Sequence, residues 1–236
     1  MSAPPTRFLA ILLVLCCVGS AASAKKKPEG LRWSEGATGC TFSADQDGKA
    51  RWGMWTGDAG VVLAIDANEL QRSRRRLQHT FAVEVTIRNR ALKKLNVDPR
   101  KITAEFVNHH HTVASGLDPE GYSGSLQAGA IALQDSVERQ IKKHPDQRPE
   151  KEAALVQYQG LVTDLQQFIR RHSLRQTTLD TENNEAVGWV FFPTAARWIG
   201  ELKNPEQLVI RIPVADQTME FPITMPPTNE LMLRRR

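Results

Sequence analysis

The sequence predicts a mainly β fold with an α insertion, an antiparallel β-sandwich carrying an antiparallel α-helical hairpin. Three observations predict it. Residues 81–88 alternate apolar and polar side chains, and residues 207–214 and 218–225 again place an apolar side chain at every second position. A period of two belongs to a half-buried strand. Gly, Pro, Asn and Asp punctuate the chain between such segments, with no strand–helix–strand alternation that would call for a parallel sheet. Between residues 120 and 176 the apolar period changes to three and four, which is that of an amphipathic helix.

The first 24 residues stand apart from the fold. Arg7 gives a positive start, residues 8–19 are an uncharged apolar run, and Ala22-Ser23-Ala24 supplies small residues for cleavage. This is the pattern of a secretory signal peptide. The run of 12 residues is short of the roughly 20 that span a bilayer, so cleavage near Ala24 and a secreted or periplasmic location are expected, with no transmembrane segment in the mature chain. Cys16 follows Leu15 and Cys17 follows Cys16, neither a context for lipid attachment, and Cys40 lies beyond the run.

Removing 24 of the 236 residues leaves 212, enough for one domain with its own core. One Arg goes with them, so 30 basic side chains face 26 acidic ones, a net of +4. Such mild charge on an exported chain argues against a nucleic-acid partner. Cys40 is the single cysteine left, which excludes an internal disulfide. It reads as a small buried hydrophobe. The expected order is a basic segment at 25–36, the sandwich at 37–226 with the hairpin insertion at 120–176, and a basic tail at 227–236.

Within the sandwich, Thr41 and Phe42 begin a strand, and Gly48 turns the chain into residues 49–55. Asp58-Ala59-Gly60 turns it into 61–65, and Asp98-Pro99 leads into 102–107. Residues 187–192 are nearly all apolar, so they are read as a central strand covered on both faces. Pro213 and Pro222 lack a ladder N–H, which predicts edges or breaks for the last two strands. The helices are read over residues 125–143, with Leu126, Ala130, Leu133, Val137 and Ile141 on one face, and over 150–172, with Leu155, Tyr158, Val162, Leu165 and Ile169. The link HPDQRP at 144–149 is short enough to make them antiparallel.

The segment VGWVFFP at 187–193, ahead of two closing strands, resembles the corresponding strand of small secreted bacterial immunoglobulin-like domains of the telokin-like kind. Residues 81–88, ending in a turn at Asn89, are similar to an earlier strand of those domains. The resemblance covers about residues 60–107 and 186–225, and it departs at the helical hairpin, which those domains lack. It implies a non-enzymatic exported domain with interaction roles and carries no functional residue across.

Candidate sites are few. In His109-His110-His111, a strand would project His109 and His111 to one face, where two imidazoles can ligate Zn or Cu. A further ligand is needed, and nothing in the spacing requires one, so no cofactor is expected. Arg72, Arg74, Arg75 and Arg76 form a basic run suited to an anionic surface, with Lys25–Lys27 and Arg234–Arg236 adding charge at the ends. Of the tryptophans, Trp52 and Trp55 differ by three and so face opposite sides of a strand, giving no ready platform for sugars. Gly121-Tyr-Ser-Gly-Ser125 is an incomplete nucleophile elbow, and metalloprotease, Cys-x-x-Cys and phosphate-loop patterns are missing. The expectation is an exported, non-catalytic protein that contacts an envelope protein or surface ligand, with the hairpin as partner surface. A metal-binding protein using His109 and His111, and a hydrolase with an unrecognised site, are the alternatives.

Overall fold

The computed structural model describes residues 30–44, 48–66, 77, 80–194 and 206–225. The expected signal peptide at residues 1–24, the basic run at Arg72–Arg76, Trp198 and both basic ends lie outside the described residues. Two five-stranded sheets face each other. One orders β10 (Glu185–Pro193), β5 (Thr80–Asn89), β4 (Ala59–Asp66), β3 (Lys49–Trp55) and β2 (Cys40–Ala44), every pair antiparallel. The other orders β1 (Gly30–Arg32), β12 (Gln217–Met225), β11 (Glu206–Val214), β7 (Thr103–Phe106) and β8 (Thr112–Ser115), with β1 parallel to β12. A ribbon of β6 (Leu95–Val97) and β9 (Thr177–Leu179) adds Leu95, Val97 and Leu179 to the same core.

The alternation read at residues 81–88 is what builds the core. Phe81, Val83, Val85 and Ile87 are buried between the sheets with Leu63 and Ile65 of β4, and opposite them lie Phe106, Ile210, Met219 and Phe221. The Phe81 and Phe106 rings meet edge to face across the sheets, 6.0 Å between centroids. Each such side chain, fully buried, contributes about 1.5–3 kcal/mol. Asn89 is buried at the end of β5. Its amide donates to the carbonyls of Lys93 (2.9 Å) and Leu179 (3.4 Å) and accepts from the Ala91 N–H (3.1 Å). The turn after this strand is therefore locked to β9.

Two strand expectations need correction. Residues 188–192 are covered on both faces, but Val187 is exposed and β10 lies at the margin of its sheet. Its outer carbonyls are met by backbone from the segments flanking the hairpin, so it is as enclosed as a central strand. Conversely, the proline-bearing strands are internal: β11 lies between β12 and β7, and β12 between β11 and β1. The registers explain this. Glu220 offers its carbonyl to the Trp33 N–H, so Pro222, two residues on, faces the same way, past the last β1 pair at Arg32. Gln207 offers its carbonyl to the Val107 N–H, so Pro213 also faces β7, beyond the last pair, Arg211 with Thr103. Each proline sits where its neighbour has already ended, and no ladder bond is lost.

The insertion is two helices of 25 residues, α1 (Pro119–Lys143) and α2 (Arg148–His172). α1 begins six residues before the start at 125 that the apolar stripe predicts. Asp118 accepts the Gly121 N–H at 2.9 Å and Pro119 takes the first helical position, a cap-and-proline start. The glycines and serines at 121–125, loop-like by composition, are thereby drawn into the helix.

Candidate functional site

Residues 107–111 form the turn between β7 and β8, so the strand geometry assumed for the histidines does not hold. The His109 N–H bonds the Phe106 carbonyl, the Thr112 N–H bonds the His109 carbonyl, and His110 and His111 take φ values of 55° and 54°. Histidine tolerates this left-handed region better than most residues. The reversal sends the two imidazoles to different carboxylates. His109 Nε2 lies 3.0 Å from Glu206 Oε2, and His111 Nδ1 lies 2.6 Å from Glu105 Oε1. No group of three His, Cys, Asp or Glu side chains among the described residues is placed to hold a metal.

What the His111 ring joins instead is a line of alternating charge on the outer face of the sheet. Arg211 stands opposite Glu220 in the β11–β12 register. Its Nε donates to Glu220 Oε1 at 2.9 Å, and its Nη2 lies 2.6 Å from Glu105 Oε2. Arg32 closes on Glu220 at 3.5 Å. Hydrogen bonds from His111 and then Arg211 hold the Glu105 carboxyl below the ordinary carboxylate value, outweighing its partial burial. For Arg211, burial opposes the charge, but hydrogen bonds to Glu220 and Glu105 overcome it and raise the guanidinium. One signal for this line was present in the sequence. A hairpin turning at Ala215-Asp216 must set residue 211 against residue 220.

The hairpin has a defined root. The Leu117 N–H donates to the Phe191 carbonyl at 2.8 Å, and the Leu174 N–H donates to the Trp189 carbonyl at 2.9 Å. Both ends of the insertion are thus tied to β10. Above that edge lies a second core. Tyr122, Leu126 and Ala130 of α1 and Val162, Leu165 and Ile169 of α2 bury themselves against Trp189, Phe191 and Ala82 on the outer face of the first sheet. Tyr122 lies 5.3 Å from Phe191, and Phe168 lies 5.7 Å from Trp189, ring to ring. Lys49 completes the rim, 2.6 Å from Glu84 and 5.9 Å above the Trp189 ring.

This second core reaches Ala130 on one helix and Val162 on the other. Beyond them Val137 and Ile141 are buried, Leu155 and Tyr158 are half-buried, and Ile131 and Val156 stand 52% and 68% exposed. Glutamines bridge the helices, Gln166 to Gln127 and Gln159 to Gln134, each at 3.4 Å. That register sets residue 156 opposite residue 137, within about 9 Å of Ile131 along the axis. A groove of about 270 Å³ runs between the helices, lined by Ile131, Gln134, Gln159 and their neighbours, and its lining has no titratable side chain.

The remaining candidates are placed as follows. Trp52 is buried against Phe42, and Trp55 faces outward, on opposite sides of β3 as their spacing requires. Cys40 is a half-buried free thiol. Gly121–Ser125 lies in the first turns of α1, where the Ser125 hydroxyl donates to the Tyr122 carbonyl at 2.8 Å. No helix among the described residues is long and apolar enough to cross a membrane. Compared with protein-family models, with curated proteins and with solved structures, the chain matches none.

Proposed function

We propose that the chain is an exported, non-catalytic binding protein whose sandwich presents the helical hairpin to an envelope protein. The observation that carries this reading is the contrast along the hairpin. Its base is fixed by two backbone hydrogen bonds and a buried aromatic cluster, while its distal half keeps Ile131 and Val156 exposed. Large exposed apolar side chains on a rigid, solvated arm are the anchors that protein interfaces use. The signal-like residues 1–24 support delivery to the periplasm or beyond, where such a partner would be met. An immunoglobulin-like, telokin-type identity for the sandwich belongs to the same reading. Its support is the long return of β10 to β5 across the hairpin, and of β11 to β7.

The test is native migration of the full chain from envelope extracts of the cells that make it. The wild type should travel as a complex, and the pair Ile131→Asp with Val156→Asp should travel as the free chain with unchanged thermal stability. A wild-type chain that migrates free, or a double variant that stays in the complex, would contradict the proposal.

A further inference from the structure

The outer face of the first sheet holds a second exposed feature, at the end of β3. Trp55 ends β3 with its ring turned outward and half-buried. Two glycines make its seat. Gly60 is the residue opposite Trp55 in the ladder, and Gly53 lies two residues before it on the same face. A Cβ at Gly60 would run into the six-membered part of the indole, and one at Gly53 would crowd Trp55 Nε1 as well as the Thr41 hydroxyl. The indole therefore lies flat on bare backbone, one face against the sheet and the other toward solvent. Its N–H has no hydrogen-bond partner among the described residues. The Thr41 hydroxyl beside it is exposed and likewise unpaired.

Two arginines stand at this end, beside the turn that carries the exposed Asp58. Arg88, across from Gly60, is matched by Glu185 at 2.6 Å. Arg90 is not matched. It is exposed, its Nη1 donates to the carbonyl of Thr56, the residue that follows Trp55, at 3.1 Å, and it forms no ion pair among the described residues. A guanidinium keeps several N–H donors beyond that one bond. A flat π face, two free polar donors beside it and an unneutralised guanidinium at its end suit one ligand chemistry. A sugar ring lays its C–H face on the indole, its hydroxyls meet the Trp55 N–H and Thr41, and a carboxylate on the sugar meets Arg90.

We infer that Trp55 and Arg90 form a binding subsite for a carboxylated sugar of a polysaccharide. It is separate from the hairpin and independent of what the hairpin binds. A stretched peptide is the less suited occupant, since both neighbouring strands of β3 and β4 are already paired and this face offers no open ladder.

The experiment titrates the full purified chain with hyaluronan and alginate hexasaccharides, which carry carboxylates, and with chitohexaose, which has none. Binding is read by calorimetry and by tryptophan fluorescence. At least one carboxylated hexasaccharide should bind saturably, about tenfold more tightly than chitohexaose. Arg90→Gln should weaken that binding about tenfold and leave chitohexaose unchanged, and Trp55→Ala should abolish both. Because Arg90 is exposed with a single bond, its variant decides the matter even if Trp55→Ala loses stability. No saturable binding of either carboxylated hexasaccharide, or wild-type binding by Arg90→Gln, would overturn the inference. So would tighter binding of a hydrophobic peptide at Trp55.

Discussion

Gly188 lies directly beneath the backbone of Leu174, and the adjoining Trp189 carbonyl takes the Leu174 N–H at 2.9 Å. The chain leaving α2 can reach β10 at this distance because residue 188 has no side chain. A Cβ there would come within 2.6 Å of the Leu174 Cα and the Ser173 carbonyl carbon. The hairpin, the edge of the sheet and the buried Trp189 are joined at that one point.

Gly188→Ala should therefore loosen the hairpin's root. Forced overpacking of this kind costs about 1–3 kcal/mol. The expected result is a lower melting temperature with faster amide exchange in α1 and α2, whereas Val187→Ala, next in sequence and 53% exposed, should leave both unchanged. Equal effects of the two substitutions would contradict the account of the root.

Asn89 predicts a second loss. Its side chain satisfies three backbone groups in a buried setting. Asn89→Ala leaves them without partners, at about 1–3 kcal/mol for each group that water cannot reach. Chemical denaturation should show a lower midpoint with the slope unchanged.

Acid acts through Glu105. Its carboxyl is held below the ordinary value of 4.5 by His111 and Arg211. A depressed folded value means that the stabilisation is complete above the unfolded value and fades as pH falls through the folded one. Between pH 7 and 5 this contribution should stay constant, and below about 4.5 it should decline. Glu105→Gln should be less stable than the wild type at pH 7, and the gap should close toward pH 3. Urea midpoints across that range measure it, and a gap that widens in acid would reverse the sign.

The histidines give a prediction by geometry. With His109 turned to Glu206 and His111 to Glu105, calorimetric titration with Zn or Cu should show no micromolar site. Micromolar binding that disappears in His109→Ala with His111→Ala would bring back the metal-binding alternative.

The core was legible because β5 repeats with period two and the hairpin with period three and four, both signals carried by local neighbours. The prolines misled because Pro213 and Pro222 report only a missing N–H, and whether a partner strand reaches that far is a tertiary fact. β10 misled in the opposite direction. Its apolar run records burial on two faces, one of them supplied by the hairpin, and says nothing of its rank in the sheet. At residues 107–111 Asn108 alone marked a turn, and the left-handed positions fall on His110 and His111, where no glycine or asparagine stands. Trp55 was read for its side of the strand alone, since the seat needs Gly53 and Gly60 from two strands at once. The Arg211–Glu105 contact is diagonal across strands far apart in sequence, out of reach of any local pattern.

The claim that the hairpin is a partner arm is tested most directly by a photo-crosslinking amino acid placed singly at Ile131, at Val156 and at Leu92, which is 92% exposed on a loop of the sandwich. In cells exporting the full chain, the two hairpin positions should give the same discrete adduct and Leu92 none. Adducts at Leu92 equal to those at the hairpin, or no adduct at Ile131 and Val156, would contradict the account.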